Sequence, residues 1–583
     1  MFLKQMKDKR TGRVRLAVYE SYWEGGKSHH RTVLKLGFLD ELEKEHEDPI
    51  SWAKALAAEM TAERKIREAP QMLEIHPAQR VDKRAGGQRR SIGAAVPACI
   101  YNALGIEKAL RNNTAGSKAT FDVNAALRLI SIERMLSPGS KLCAWRDRGR
   151  YFFRSELSED DVYRALPLIA ECKGAVIGAM NRSIERAGMR APLDNVFYDV
   201  TNYYFECDKE DDLRRKGVCK EHRPNPIVQM GLLQDRNAIP LTYRLFPGNA
   251  SDCMTMLPIM EDMKREFGLG RVVAVADKGL NTSTNMALLK ARGDGFVFSQ
   301  SIRGTKSTAS VREWVLSEAG YRGRGEGFKI KSRQGIKTIH LKAEQTASGK
   351  PEDVEVPVKM VAFFSAKYAR RARAQRASTI AKAREMCARP ARYISACNYG
   401  AAAYVQGMKL NKDTGEVADL CDHYRFNEAK LAAEEACDGY YLIITSEVEA
   451  TDDKIVDTYR GLWQIEESFK VTKTGLSARP VYVRRDKSIE AHFLSCYIAL
   501  TITRLLQLSL PNRPSAQAVL DDLRACEGTR AEGNWWLFDH RSDLTDEMYA
   551  LIGARPQPKW MTTAQIKDMH SKKHVPNLGI WVP

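Results

Sequence analysis

The chain is 583 residues long and carries 91 Lys and Arg against 73 Asp and Glu, a net charge of +18, so it has room for several domains and favours a polyanionic partner over the life of a small stapled scaffold. Twelve cysteines with no CxxC pair argue against a zinc ribbon and a secreted disulfide framework, and suit reduced thiols in the cytoplasm. MFLKQMKDKR lacks the apolar core of a signal peptide, and the most apolar run, 493–503, stops at Arg504 before it could span a bilayer, which leaves nucleic acid, not a membrane, as the expected partner.

In chain order, RVRLAVYESY and RTVLKLGFL are β-prone runs on either side of WEGGKSHH and read as a hairpin. A charged helix is expected from about Pro49 to Arg67, then the basic linker AQRVDKRAGGQRRS. From Ile92 to Gly188 the pattern is helical, with a Ser–Asp–Asp N-cap signal opening SEDDVYRALPLIAECKGAVIGAMNRSIERAG; this is expected to be a separate α-helical domain. At NVFYDVTNYYFE (195–206) the period becomes that of strands. PIVQMGLLQ (226–234) and LTYRLFPG (241–248) flank the turn DRNAIP, DCMTMLPIMEDMKREFG reads as a helix, and RVVAVADKG (271–279) as a buried strand. Strand, strand, strand, helix, strand implies a mixed α/β sheet whose first strands are antiparallel and whose fourth is parallel.

Residues 301–437 read as a β-rich insertion, with FKIKS, TIHLKAE and VEVPVKMVAFFS followed by the basic helix KYARRARAQRASTIAKAREMCARPARY. GYYLIITS (439–446) and DDKIVDTYRGLWQIEESFK then resume the core. The expected organisation is 1–80, a hairpin and helix; 81–190, helical; 191–300 with 438–487, one α/β core; 301–437, the insertion; and 488–583, a helical carboxyl-terminal region.

Three acids stand out. Asp277 closes the apolar run Val272–Ala276, and open α/β sheets place ligands at the carboxyl ends of strands. Asp199 sits inside a run that otherwise reads as core strand, where an unpaired carboxylate loses several kcal/mol of hydration. Glu466 lies in a four-three stripe, Ile455, Tyr459, Leu462, Glu466, Phe469, Lys473 and Leu476, of one amphipathic helix. Ordinary readings exist for each: Asp199 as a strand-end residue bonded to a turn, Asp277 as the N-cap of NTSTNMALLK, Glu466 paired with Lys470 at i+4. Glu466 and Lys473 are about 10.5 Å apart along a helix at 1.5 Å per residue, too far for a direct bridge. Taken together, three acids from two strands and a helix can converge on Mg²⁺, a hard ion that prefers oxygen, and two such ions support in-line phosphodiester displacement.

YDVTNYYFE, HRPNPIVQMGLL, IPLTYRLFPGNASD, VVAVADKG and YRGLWQIEESFKVTKTGLSARPV, in that order, resemble the DDE transposases of bacterial insertion sequences. The resemblance is to the group with a Tyr-Arg-Glu-Lys signature around the third carboxylate and a β-rich insertion in the catalytic core. It covers roughly 190–300 and 438–500 and is weaker at the amino terminus. It implies a ribonuclease H-like core in which Asp199, Asp277 and Glu466 bind Mg²⁺ or Mn²⁺, two ions in all. It also implies double-stranded DNA partners, the terminal inverted repeats of the element and a target, held by a homodimer in a synaptic complex, with no small-molecule substrate. Tyr459, Glu466 and Lys473 match the signature, but Leu462 stands at its Arg position. The rival readings are an element-end DNA-binding protein or repressor without strand transfer, and a metal-dependent nuclease.

Further DNA contacts are expected from Tyr459, Lys470, Lys473, His222, Arg223 and Lys278, and from Arg370 and Arg373 in the basic run 367–392; the run also reads as a solvated basic helix, His222 and Arg223 as a charged turn, and Lys278 as an ordinary surface lysine. Tyr368 could stack on an exposed base, whereas Trp314 reads as core. The helical segment 81–190 is the expected reader of the DNA ends.

Overall fold

The computed structural model describes residues 1–7, 12–24, 27–68, 89–153, 156–217, 224–251, 254–303, 309–325, 327–346, 349–393, 400–407, 409–410, 417–419, 424–531, 533–554, 558–572, 574–575, 578 and 580–581. It divides into two compact units, Met1–Asp82 and Lys83–Pro583. In the first, strands Phe2–Lys7, Val14–Glu24 and Lys27–Phe38 form an antiparallel meander. Helix Pro49–Glu68 packs on one face of it through Leu3, Leu16, Leu36, Trp52 and Ala53. The hairpin and helix read from the sequence are there, with a strand ahead of them.

The second unit is built on a nine-stranded sheet among the described residues. Its strands are β1 (Asn195–Tyr204), β2 (Ile227–Gln234), β3 (Pro240–Pro247), β4 (Val273–Ala276), β5 (Gly295–Gln300), β6 (Arg322–Gly323), β7 (Phe328–Leu341), β8 (Glu352–Ser365) and β9 (Tyr440–Thr445). Across the sheet they run β6, β7, β8, β9, β5, β4, β1, β2, β3. β1, β2 and β3 are antiparallel neighbours, while β4 lies parallel to β1 and β5 parallel to β4. That is the ribonuclease H-like arrangement. Helices α1 (Met256–Phe267) and α2 (Ser283–Ala291) connect β3 to β4 and β4 to β5. β5 escaped the sequence reading because GFVFSQ is short and lies between glycine-rich turns.

The insertion joins this sheet: β9 pairs with β5 on one side and with β8 on the other, and β8 pairs with β7 over fourteen residues. Helix α3 (Ala366–Ala388) follows β8. After β9 come α4 (Asp452–Arg460), α5 (Trp463–Lys470), a wider π turn at Val471–Gly475, and α6 (Asp486–Ser509). By length and composition α6 could cross a membrane, but it is buried inside the fold. The helices between Ala95 and Arg186, read from the sequence as a domain of their own, share one apolar core with it: Ile130 and Leu166 pack in the same cluster as Phe493 and Ile498 of α6 and Phe197 and Val275 of the sheet. The carboxyl-terminal region adds strands to its helices, since Glu527–Arg530 pairs with Arg89–Ser91 and with Trp535–Phe538, which in turn pairs with Trp560–Thr562.

Candidate active site

Alternation along β1 sends Val196, Tyr198 and Val200 to one core and Phe197 to the other. Asp199 therefore faces the side occupied by Ile455 and Val456 of α4 and Ile465 and Phe469 of α5. Between Val196 and Tyr203 it is the one half-exposed residue in a buried strand. The parallel register Asn195↔Val273, Val196↔Ala274, Phe197↔Val275, carried two residues further, sets Asp199 level with Asp277. The β4–β5 register, Ala276↔Phe298, likewise sets Ser299 level with Asp277. Neighbouring strands lie about 4.8 Å apart, so the three side chains form one row, at the carboxyl ends of β4 and β5 and midway along β1.

The Ser299 hydroxyl donates to Asp277 Oδ1 at 2.6 Å, and the Tyr459 hydroxyl, reaching down from α4, donates to the same oxygen at 3.4 Å. Burial, and then the charge of Asp277, push the Tyr459 hydroxyl up from its ordinary value, so it stays a donor. Asp199, Asp277, Lys278, Asn281, Gln300 and Lys337 line one cavity of about 680 Å³. Lys337 comes from the insertion strand β7, and burial pulls its ammonium down from the ordinary value. Neither Ser299 nor Lys337 was picked out from the sequence: a serine after FVF and a lysine in an alternating strand carry no local signal. Ser299→Ala would leave Asp277 Oδ1 with the longer Tyr459 bond alone. Loss of such a supporting partner is expected to slow the reaction the cavity carries out roughly 10–100-fold with substrate affinity unchanged, as single-turnover kinetics and a binding titration would measure.

Glu466 is placed differently. The stripe expected on one continuous helix is divided among α4, α5 and the π turn. The amides of Gly461, Leu462, Gln464 and Ile465 bond three residues back, a tight 3₁₀-like passage. Gly461 sits hard against β1, where an added Cβ would stand 2.8 Å from the Phe197 ring. Glu466, which follows this turn, is exposed. It lines a second cavity, of about 590 Å³, together with Tyr459, Arg371, Tyr441, Arg460 and Trp463. Tyr459 thus borders both acidic sites. Among the described residues no three His, Cys, Asp or Glu stand close enough together to hold a metal ion. α5 itself is well anchored: Ser468 donates to Gln234 Oε1 of β2 at 2.9 Å, and Arg504 of α6 donates to Ser468 Oγ at 2.9 Å.

The remaining candidates separate. Lys473, in the π turn, lies with Nζ 5.5 Å from the ring centre of Tyr203, against the sheet. Lys470 and Lys278 are exposed, the latter on the rim of the Asp199–Asp277 cavity. Arg370 is exposed on α3, whereas Arg373 approaches the buried Asp438 at 3.9 Å, next to Arg376, which is buried against the same carboxylate. Arg384 and Arg392 pair with Glu428 and Glu385, so part of the basic run holds the fold together. Tyr368 lies edge-on to Tyr441. The guanidinium of Arg333 covers Trp314, which is only partly buried. His222 and Arg223 lie outside the described residues.

Residues 3–71 match the family described as IS1634 family transposase, N-terminal domain, and residues 215–502 match Transposase DDE domain. Together the two cover more than half of the chain, and the second includes Asp277 and Glu466. No curated protein matches the sequence. Among solved structures the chain is similar to a piggyBac transposase synaptic complex with hairpin DNA, determined by electron cryomicroscopy, at 8% identity over 82% of this chain and 85% of that one, with a TM-score of 0.34.

Proposed function

Because this chain belongs to the DDE transposases of insertion sequences, enzymes that act on DNA, we propose that it cuts the ends of its element and joins the freed 3′ ends to target DNA at a site built on Asp199 and Asp277, with Glu466 as the third acid. The observation that supports this most directly is the register that brings two carboxylates from adjacent parallel strands level with each other at the mouth of one cavity. The lining is rich in oxygen donors, Asp199, Asp277, Asn281, Thr282, Gln300 and Ser301, with neither His nor Cys among the described residues, which fits a hard divalent ion. Asp199 and Asp277 would hold Mg²⁺ or Mn²⁺, one ion or two, with Glu466 completing the set from α5. When bound, such an ion lowers the pKa of an attacking water or 3′-hydroxyl and stabilises the leaving oxygen.

The chain's own groups do the rest. Ser299 and Tyr459 orient Asp277 by donating to one of its oxygens and leave the other to face the cavity. Lys278 and Lys337 supply positive charge where a phosphate would enter, and Lys470, Lys473 and Arg370 extend it along the backbone of the terminal DNA. Two copies would pair the two ends of the element, working on the nucleoid in the cytoplasm. The test is incubation of purified protein with duplex bearing the element's inverted repeat, target plasmid and Mg²⁺ or Mn²⁺, with products resolved on sequencing gels. Joined products are expected; nicks without joining would reduce the assignment to a nuclease, and binding without nicks to a repressor.

A further inference from the structure

The amino-terminal sheet has two unlike faces. One packs on helix Pro49–Glu68 and holds the buried Glu20, bonded to Arg31 and Arg64. The antiparallel pairs Phe2↔Tyr19, Lys4↔Ala17, Arg15↔Phe38, Ala17↔Lys35 and Ser21↔His30 assemble the other face. Among the described residues it carries no carboxylate on any strand. Its cations rest on its aromatic rings: Lys4 Nζ lies 4.9 Å from the ring centre of Tyr19, and the Arg15 guanidinium 4.9 Å from that of Phe38. His30 is edge-on to Phe2 and shares a hydrogen bond with Ser21. Arg13, beside them, is already paired with Asp40 and Glu41 and is not counted. Over residues 1–82 Lys and Arg nearly balance Asp and Glu, so this cationic face arises from sorting of charge and not from excess.

We propose that this face enters the major groove of duplex DNA at the element's ends, with Lys4, Arg15 and Lys35 on phosphates and His30 toward base edges. The dimensions suit it: three strands are about 10 Å across, and their six shared residues about 20 Å long, against a groove roughly 12 Å wide that accepts β-strands as well as helices. The inference rests on the reading of the chain as a transposase, and it moves end recognition from 81–190, whose helices are built into the catalytic core, to the first forty residues.

The experiment uses the full-length protein and a fluorescent duplex carrying the inverted repeat that flanks its gene, titrated at several salt concentrations. The triple variant Lys4→Ala, Arg15→Ala, Lys35→Ala is expected to bind roughly tenfold or more weakly, with a log–log salt slope shallower by about 3. Guanine N7 methylation should interfere with wild-type binding. Lys54→Ala, which removes one charge from the exposed side of the helix, should bind as wild type does, and Lys35→Glu alone, an exposed position, should be weakened. Wild-type affinity and slope in the triple variant would overturn the proposal, as would a wild-type protein that prefers single strands or shows no N7 interference. If the triple variant loses end binding while wild-type protein binds ends without cutting them, this inference stands and the catalytic one falls.

Discussion

Replacement of Asp277 by Asn should cut strand cleavage by roughly 10³-fold or more while terminal DNA is still bound. The amide keeps the size of the side chain and can still accept from Ser299 and Tyr459, but it removes a full negative charge from the row it forms with Asp199. Several kcal/mol of transition-state stabilisation depend on such a ligand, at about 1.36 kcal/mol per tenfold in rate. Asp199→Asn should behave alike, because the sheet register gives the two carboxylates equivalent positions. Rates of nicking on end DNA, set against affinities from the same preparations, decide the matter. Retention of activity within tenfold in Asp277→Asn would remove the cavity from the chemistry. Full activity in Glu466→Gln would remove only the third ligand and leave the aspartates in place.

The second large effect concerns stability and pH. Lys141 is buried, with Nζ 3.4 Å from His492 Nδ1, and His492 Nε2 donates to the Ala478 carbonyl at 3.0 Å. Burial pulls Lys141 down to about 7 and holds His492 well below its ordinary value, so the imidazole is neutral and accepts from the lysine. Between pH 7 and about 10.5 the unfolded chain binds a proton that the folded chain does not. Stability from this group therefore rises with pH across that window. Glu133 works the other way, since burial raises it to about 7 and its contribution falls as pH climbs from 4.5 to 7. Lys141→Met should flatten the alkaline rise by a few kcal/mol in total, as denaturant titrations at pH 7, 8.5 and 10 would measure. An unchanged slope would contradict it. The same seam anchors the segment after the π turn, where Arg134 donates to the Ser477 carbonyl at 2.9 Å, so loosening it should also be felt at Lys473.

Local pattern carried most of the strands and the two aspartates. Alternating β-branched and aromatic residues mark β1, a continuous apolar run marks β4, and a carboxylate breaking each run is visible without a structure. Partners distant in sequence were not legible. Nothing in TIHLKAE or VEVPVKMVAFFS says that their strands continue the core sheet through β9, or that Lys337 reaches the aspartates' cavity. The apolar members of the helix stripe, Ile455, Leu462, Phe469 and Leu476, share one buried cluster as expected, but the division of the helix was not legible, for a related reason. Its periodicity assumes 3.6 residues per turn throughout, and it is blind to the contact between Gly461 and Phe197, 264 positions apart, where the turn tightens. Charge density alone does not sort the basic run, because an arginine buried on Asp438 and one exposed to solvent look the same in a sequence.

The pairing of β9 with both β5 and β8 has a consequence for how this protein can be taken apart. A looped-out module can be trimmed at its stalk, but here the would-be stalk is a ladder. Excising 301–437 would strip β9 of its outer neighbour and expose the backbone of Tyr440–Thr445 as a raw hydrophobic margin, a template for pairing with other chains. A minimal catalytic fragment must therefore keep β8 or replace it, and any transplant of the insertion into another scaffold must supply a β9 to receive it.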